Sequence, residues 1–202
     1  MMNVSAHRAF NLLKELAAIP APSHQEEQRV AFIKHWLEVQ GAKNLLVDEA
    51  NNVILPFGEG PYSVFMAHTD VVFPDLTALP VREEDGKLYA PGVGDDTANV
   101  VALMLCAQYL LDHPEAVKGS LLLVFNSCEE GLGNLKGVRQ ICKDYEIALA
   151  IQSCFIDWPN EPSEYLEALL GKRAEKLNPF KTYADNGIIQ SLGSDGPCTE
   201  PD

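Results

Sequence analysis

Two short apolar runs, residues 62–67 and 120–126, each break off into side chains that can hold a metal. The first is followed by His68-Thr69-Asp70 and the second by Ser127-Cys128-Glu129-Glu130. Near-continuous apolar strands suit a sheet covered on both faces, so these runs call for helices on either side. Between them stands Gly92-Val93-Gly94-Asp95-Asp96-Thr97-Ala98, where two glycines allow a tight loop that side chains would crowd. Residues 99–111 then read as a helix. The order of helix, strands, helix, strand, helix, strand predicts an α/β fold: a three-layer, mostly parallel sheet with helices on both faces. In such sheets ligands gather beyond the carboxyl ends of the strands, which is where these polar residues fall.

The rest of the chain fits that scheme. Residues 5–18 repeat Phe10, Leu13, Leu16 and Ala17 at helical spacing, until Pro20 and Pro22 stop the run. Ser23 opens a second helix, with Glu26 three residues later as in a capping box, and Val30, Ile33, Trp36 and Leu37 form its inward face. Residues 45–47 and 52–57 read as strands, 82–86 as a polar turn, and 87–89 as a short strand. A further helix is expected around 135–142 and a strand over 147–151. Beyond it, 165–177 permits a short helix. The remainder shows no regular apolar period, and loose packing is expected from 193 to the end.

Composition narrows the function classes. The chain has 202 residues, 47% of them hydrophobic, enough for one substantial core. A formal charge of -14 argues against a nucleic-acid partner. No run approaches the roughly 18 apolar residues of a membrane span, and no secretory pattern opens the chain, so a cytoplasmic protein is expected. Five scattered cysteines make neither a zinc pattern nor a disulfide framework and are expected to be reduced. No Gly-x-Ser-x-Gly elbow and no phosphate-loop spacing occurs.

What remains is metal chemistry. Zinc takes imidazole nitrogen and carboxylate oxygen. Asp95 has two oxygens with which to bridge two ions, His68 can supply one and Glu130 the other. Asp70 can accept the second imidazole hydrogen of His68. Glu129 can take a proton from water and return it to a departing amine. Asp96 can cap the next helix or shape the loop, and Thr97 and Asn99 read as loop and cap residues.

Three segments in this order, MAHTDVV (66–72), APGVGDDTANVVAL (90–103) and NSCEEGLGN (126–134), resemble the M20 family of zinc-dependent metallopeptidases, particularly its peptidase T-like aminopeptidases and related acylamino-acid or dipeptide hydrolases. The resemblance spans roughly residues 12–151. It implies a zinc-dependent hydrolase of small peptides or acylated amino acids, with up to two zinc ions. His68, Asp95 and Glu130 become metal ligands, Asp70 the residue orienting His68, and Glu129 the general base. It also implies a cis peptide between Asp95 and Asp96.

The chain departs from the family pattern in three places. Gln152 stands where the family has an acidic ligand, and Asp157 is the nearest later carboxylate. The family's last ligand is a distant histidine, whereas the histidines here are His7, His24, His35, His68 and His113. There is also no room for the family's dimerisation and lid domain. The expectation is therefore an amino-terminal part of the catalytic domain over residues 1–160, followed by an atypical tail over 161–202. Single or partial zinc occupancy and low turnover are expected. The alternative is a catalytically inactive metal- or peptide-binding fragment.

Overall fold

The computed structural model describes residues 6–145, together with the backbone of 149–152 and 190–193. Two compact units divide the chain, Met1–Tyr145 and Glu146–Asp202. In the first, helices α1 (Ala6–Ala17) and α2 (Glu27–Val39) precede strands β1 (Leu46–Val47), β2 (Val53–Phe57) and β3 (Ser63–His68). A small hairpin, β4 (Arg82–Glu84) with β5 (Lys87–Tyr89), leads to the 93–97 turn and α3 (Ala98–Asp112). Strand β6 (Leu121–Asn126) and helix α4 (Lys136–Tyr145) complete it.

The central sheet has the order β1-β2-β6-β3. Strand β6 runs parallel to β3, with His68 opposite Asn126, and antiparallel to β2, with Val53 opposite Phe125. Strands β1 and β2 are also antiparallel. Three of these four strands, β1, β6 and β3, thus run the same way, and β2 is reversed between them by the turns at 48–51 and 58–62. The α/β class and the flanking helices stand. One apolar face gathers Val53, Leu55, Leu123 and Phe125 with Leu16, Ile33, Leu37, Val100 and Met104 from α1, α2 and α3. Full burial of such a side chain contributes about 1.5–3 kcal/mol. By strand alternation Ile54, Leu122 and Val124 face the other way, and they too are buried.

Strand β6 is buried as expected, but β3 is only partly so. Ala67 is buried, whereas Phe65 and Met66 are 56% and 39% exposed. Among the described residues β3 lies at the edge of the sheet. The segment read as a polar turn at 82–86 instead holds β4 and a two-residue Asp85-Gly86 turn, both residues at positive φ. Asp-Gly between strands is the signature of such a hairpin.

In the second unit, β7 (Leu149–Gln152) pairs in parallel with β8 (Gln190–Gly193). The strand expected near 147–151 is present, and β8 lies where no periodic pattern was legible. The helix expected at 165–177, residue Asp157, the loose packing expected beyond Gly193, and cysteines Cys154 and Cys198 lie outside the described residues.

Candidate metal centre

His68 ends β3, and its parallel pairing with β6 brings the residues after Asn126 to the same end of the sheet. The 93–97 turn comes to the same place because Thr97 Oγ1 donates to Gly92 O at 2.7 Å and the main-chain N–H of His68 donates to Asp96 Oδ2 at 3.0 Å. Gly92 sits at φ +65, and a Cβ there would collide with the Val71 side chain, so only glycine closes this loop without strain. Asp96 also accepts from the Asn99 side chain, which settles its role as the residue that shapes the loop. The Asp95–Asp96 peptide is cis, as the family resemblance implies.

His68, Asp95 and Glu130 each offer a ligand atom, and these atoms lie within 4.8 Å of one another. No other such group of three occurs among the described residues. His68 Nε2 faces Asp95 Oδ1 at 3.0 Å. Its Nδ1 lies 3.1 Å from the Asp70 carbonyl oxygen and 3.5 Å from Asp70 Oδ1. A proton on Nδ1 therefore has an acceptor, which makes Nε2 the nitrogen that faces the acidic side of the cluster. Asp95 itself is open to solvent, its side chain 82% exposed.

Asp70 does more than orient His68. Its side chain is completely buried. The N–H groups of Glu129 and Glu130 donate to Asp70 Oδ1 and Oδ2 at 2.9 and 3.0 Å, and Ser23 Oγ donates to Oδ2 at 2.7 Å. Burial works against this carboxylate's charge, but the bonds from His68, the Glu129 amide and Ser23 outweigh it and hold its pKa below the ordinary value. Glu129 Oε2 lies 3.7 Å from His68 Nε2. Burial raises the pKa of both Glu129 and Glu130; neighbouring carboxylates, Asp95 foremost for Glu130, push the same way. His68 is raised to about 9: burial opposes its charge, but the Asp70 hydrogen bond and the negative charges of Glu129 and Asp96 prevail. This is a crowded anionic site around one imidazole, and its nitrogen and oxygen donors are those that zinc accepts. The residues fit a divalent ion.

A groove of about 340 Å³ opens beside the cluster, lined by Val72, Phe73, Ala90, Val93 and the edges of Asp95 and Glu130. Next to Val72, the main-chain N–H of Val71 donates to Ala21 O at 2.9 Å.

The structure also holds polar residues that the sequence did not mark out. The expected capping box is not formed: α2 starts at Glu27, Ser23 turns to Asp70, and Glu26 turns inward. Glu26 Oε1 accepts the N–H groups of His24 and Cys128 at 3.0 and 2.9 Å, and the Cys128 thiol at 3.2 Å. Arg29, buried on the same helix, donates to Ile19 O, Thr69 O and Thr97 Oγ1 at 2.8, 3.1 and 3.0 Å. Cys128 is buried, and burial together with its bond to Glu26 pushes its thiol up to about 11, so it has no nucleophile's character. Gln152 is present in β7 as backbone, and its side chain lies outside the described residues.

Comparison with known proteins matches this geometry. A family model described as peptidase family M20/M25/M40 covers residues 64–172. The chain belongs to this family. It is 28% identical over 183 residues to the LysW-lysine hydrolase of Deinococcus radiodurans, across 89% of this chain and 49% of that relative. To the succinyl-diaminopimelate desuccinylase of Methylococcus capsulatus it is 28% identical over 179 residues, across 85% of this chain and 43% of that one. The chain thus spans about half, or less, of the length of the curated relatives it matches. Among solved structures, aminopeptidase PepT from Bacillus cereus superposes with a TM-score of 0.52 at 19% identity, over 66% of this chain and 39% of that one. The YXEP protein of Bacillus subtilis, described as a dinuclear metal binding peptidase of the M20 family, gives 0.50 at 20%, over 74% and 44%. At that identity the two structures show the shared fold. No helix among the described residues is long and apolar enough to cross a membrane.

Proposed function

We propose that this member of the M20/M25/M40 family is a zinc-dependent hydrolase of amide bonds in small peptides or acylated amino acids. The observation that carries this reading is the convergence of His68, Asp95 and Glu130 from three separate segments at one end of the sheet. The hydrolase, desuccinylase and aminopeptidase activities named for its relatives support it. In this reading His68, Asp95 and Glu130 are the residues that would hold zinc. When bound there, zinc supplies Lewis acidity toward a carbonyl oxygen and toward water.

The remaining roles belong to the chain itself. Glu129 stands beside His68 with its pKa raised by burial, which suits a carboxylate that takes a proton from the attacking water and returns it to the departing amine. Asp70 fixes both ends of the task, holding the His68 ring and the main chain of Glu129 and Glu130. The groove beside Val72 and Phe73 offers the substrate an apolar wall. Residues 1–160 act in this reading as the amino-terminal part of the catalytic domain.

A second reading, a metal- or peptide-binding chain without turnover, is favoured by Gln152, which replaces an expected acidic ligand with a neutral amide. One experiment separates the two. Hydrolysis of dipeptides and N-acylated amino acids is measured on zinc-loaded protein, with zinc content determined in the same samples. Glu129→Gln is expected to lose most turnover, about 100-fold or more, while keeping its zinc. Zinc uptake without hydrolysis by the unmodified chain selects the second reading. Hydrolysis unchanged in Glu129→Gln defeats the base assignment.

A further inference from the structure

The three metal-site segments are joined through a place that lies outside both the motifs and the family-matched stretch. Glu26 and Arg29 flank the start of α2, three residues apart and both about 1% exposed. Glu26 Oε1 captures the N–H of Cys128, directly before Glu129 and Glu130. Arg29 Nη1 reaches the carbonyl of Thr69, between His68 and Asp70, and the hydroxyl of Thr97, next to Asp95-Asp96. These contacts bridge 102, 40 and 68 residues of sequence. With Asp70 they complete a cage: the consecutive N–H groups of Cys128, Glu129 and Glu130 all end on two buried carboxylates. Cys128 sits at φ +56, a conformation that a non-glycine residue keeps only when its surroundings over-determine it.

We infer that Glu26 and Arg29 are positioning residues that set the mutual geometry of the three metal-holding segments. The inference rests on the assignment of those segments to a zinc site. Glu26 fixes the turn bearing Glu129 and Glu130, and Arg29 locks the His68–Asp70 corner to the 93–97 turn. The requirement at residue 26 is an oxygen acceptor at a set reach, which glutamine also provides. At residue 29 it is a planar donor fork serving Ile19, Thr69 and Thr97 together, which a lysine ammonium does not reproduce.

Zinc titration on folded, metal-free protein tests this, alongside the visible spectrum of cobalt(II) bound in its place and amide exchange at residues 128–130. Glu26→Ala and Arg29→Lys are expected to weaken zinc binding about 10- to 100-fold and to alter the cobalt bands. Glu26→Gln stays close to the unmodified protein. Glu26→Asp, one methylene shorter, keeps the charge but withdraws the acceptor, so it weakens zinc and speeds exchange at Cys128 even where the alanine variant does not fold. Leu16→Ala, buried in the core, is the control for lost stability alone and leaves zinc affinity in place. The inference is overturned if folded Glu26→Asp and Arg29→Lys bind zinc like the unmodified protein, or if Glu26→Gln is as weak as Glu26→Asp. An unmodified chain that binds no zinc overturns the metal-site reading and this inference with it. Zinc binding that these substitutions leave unmoved overturns the positioning claim alone.

Discussion

Replacing Asp70 by asparagine changes one atom and is expected to cost several kcal/mol. Both carboxylate oxygens are committed: Oδ1 to the Glu129 N–H, and Oδ2 to the Glu130 N–H and the Ser23 hydroxyl. Asparagine has a single oxygen, so one N–H must face an NH2 group. The less costly orientation keeps Oδ2 as the oxygen, since that position takes hydrogen bonds of 2.7 and 3.0 Å, and abandons the Glu129 N–H together with the longer 3.5 Å contact of Oδ1 with His68 Nδ1. A hydrogen bond to a charged group contributes about 1.5–3 kcal/mol, and leaving a buried N–H unsatisfied costs about 1–3 kcal/mol. Less negative charge near Glu129 and Asp95 offsets part of this, but Asp95 is solvated and the offset is small. The expected loss is about 3–4 kcal/mol, out of the 5–15 kcal/mol of an ordinary domain. Urea unfolding of metal-free protein would show it as a lower midpoint at unchanged slope. Ser23→Ala, which removes one donor from the charged carboxylate and leaves Oδ2 its Glu130 bond, should cost about 1.5–3 kcal/mol in the same assay. A loss below 1 kcal/mol for Asp70→Asn would refute the claim that this carboxylate holds the turn.

Asp95→Ala should reduce zinc affinity about tenfold or more while changing folding stability by less than about 0.5 kcal/mol, because the side chain is solvent-exposed; equal zinc titrations would reject its ligand role. Gly92→Ala should destabilise by about 1–3 kcal/mol, since a Cβ meets Val71 at positive φ, and denaturant unfolding checks it. In chelator-treated protein, His68 is raised from 6.5 to about 9 in the folded state, so its contribution is complete below pH 6.5 and is lost as pH rises through 9. That loss is on the order of 3 kcal/mol, read from unfolding midpoints between pH 6 and 10. Asp70 has the opposite sign: its lowered pKa makes stability fall only as pH drops below the usual aspartate range.

The residues that were legible in the sequence are those whose local setting carried the signal. His68, Asp95 and Glu130 each follow an apolar run or a glycine pair, and the order of the segments placed them at one end of a sheet. Glu26 and Arg29 were hidden because a polar residue at the start of an amphipathic helix reads as a cap or a solvated face. Their true partners lie tens of residues away, and no local period encodes that. Phe65 and Met66 misled in the other direction: an apolar run reports burial, but whether a strand is central or at an edge depends on pairings made elsewhere. The Asp85-Gly86 hairpin was readable in principle from its turn residues, and was missed because Arg82, Glu83 and Glu84 lack the apolar alternation of a strand.

The parallel register of β3 with β6 joins Ser63 to Leu121 and His68 to Asn126, so the site depends on a closure that spans nearly sixty residues. Long-range pairings of this kind form late, since the entropy of closing the loop comes before the contacts that repay it. Ligand atoms at the end of that ladder meet only when it has zipped to its last rung. During synthesis, the chain would gain its grip on a cation only after Glu130 had left the ribosome and the sheet had closed behind it. Cation capture would then serve as a clock for folding: in a refolding experiment, a zinc indicator should lag helix formation and keep pace with the sheet.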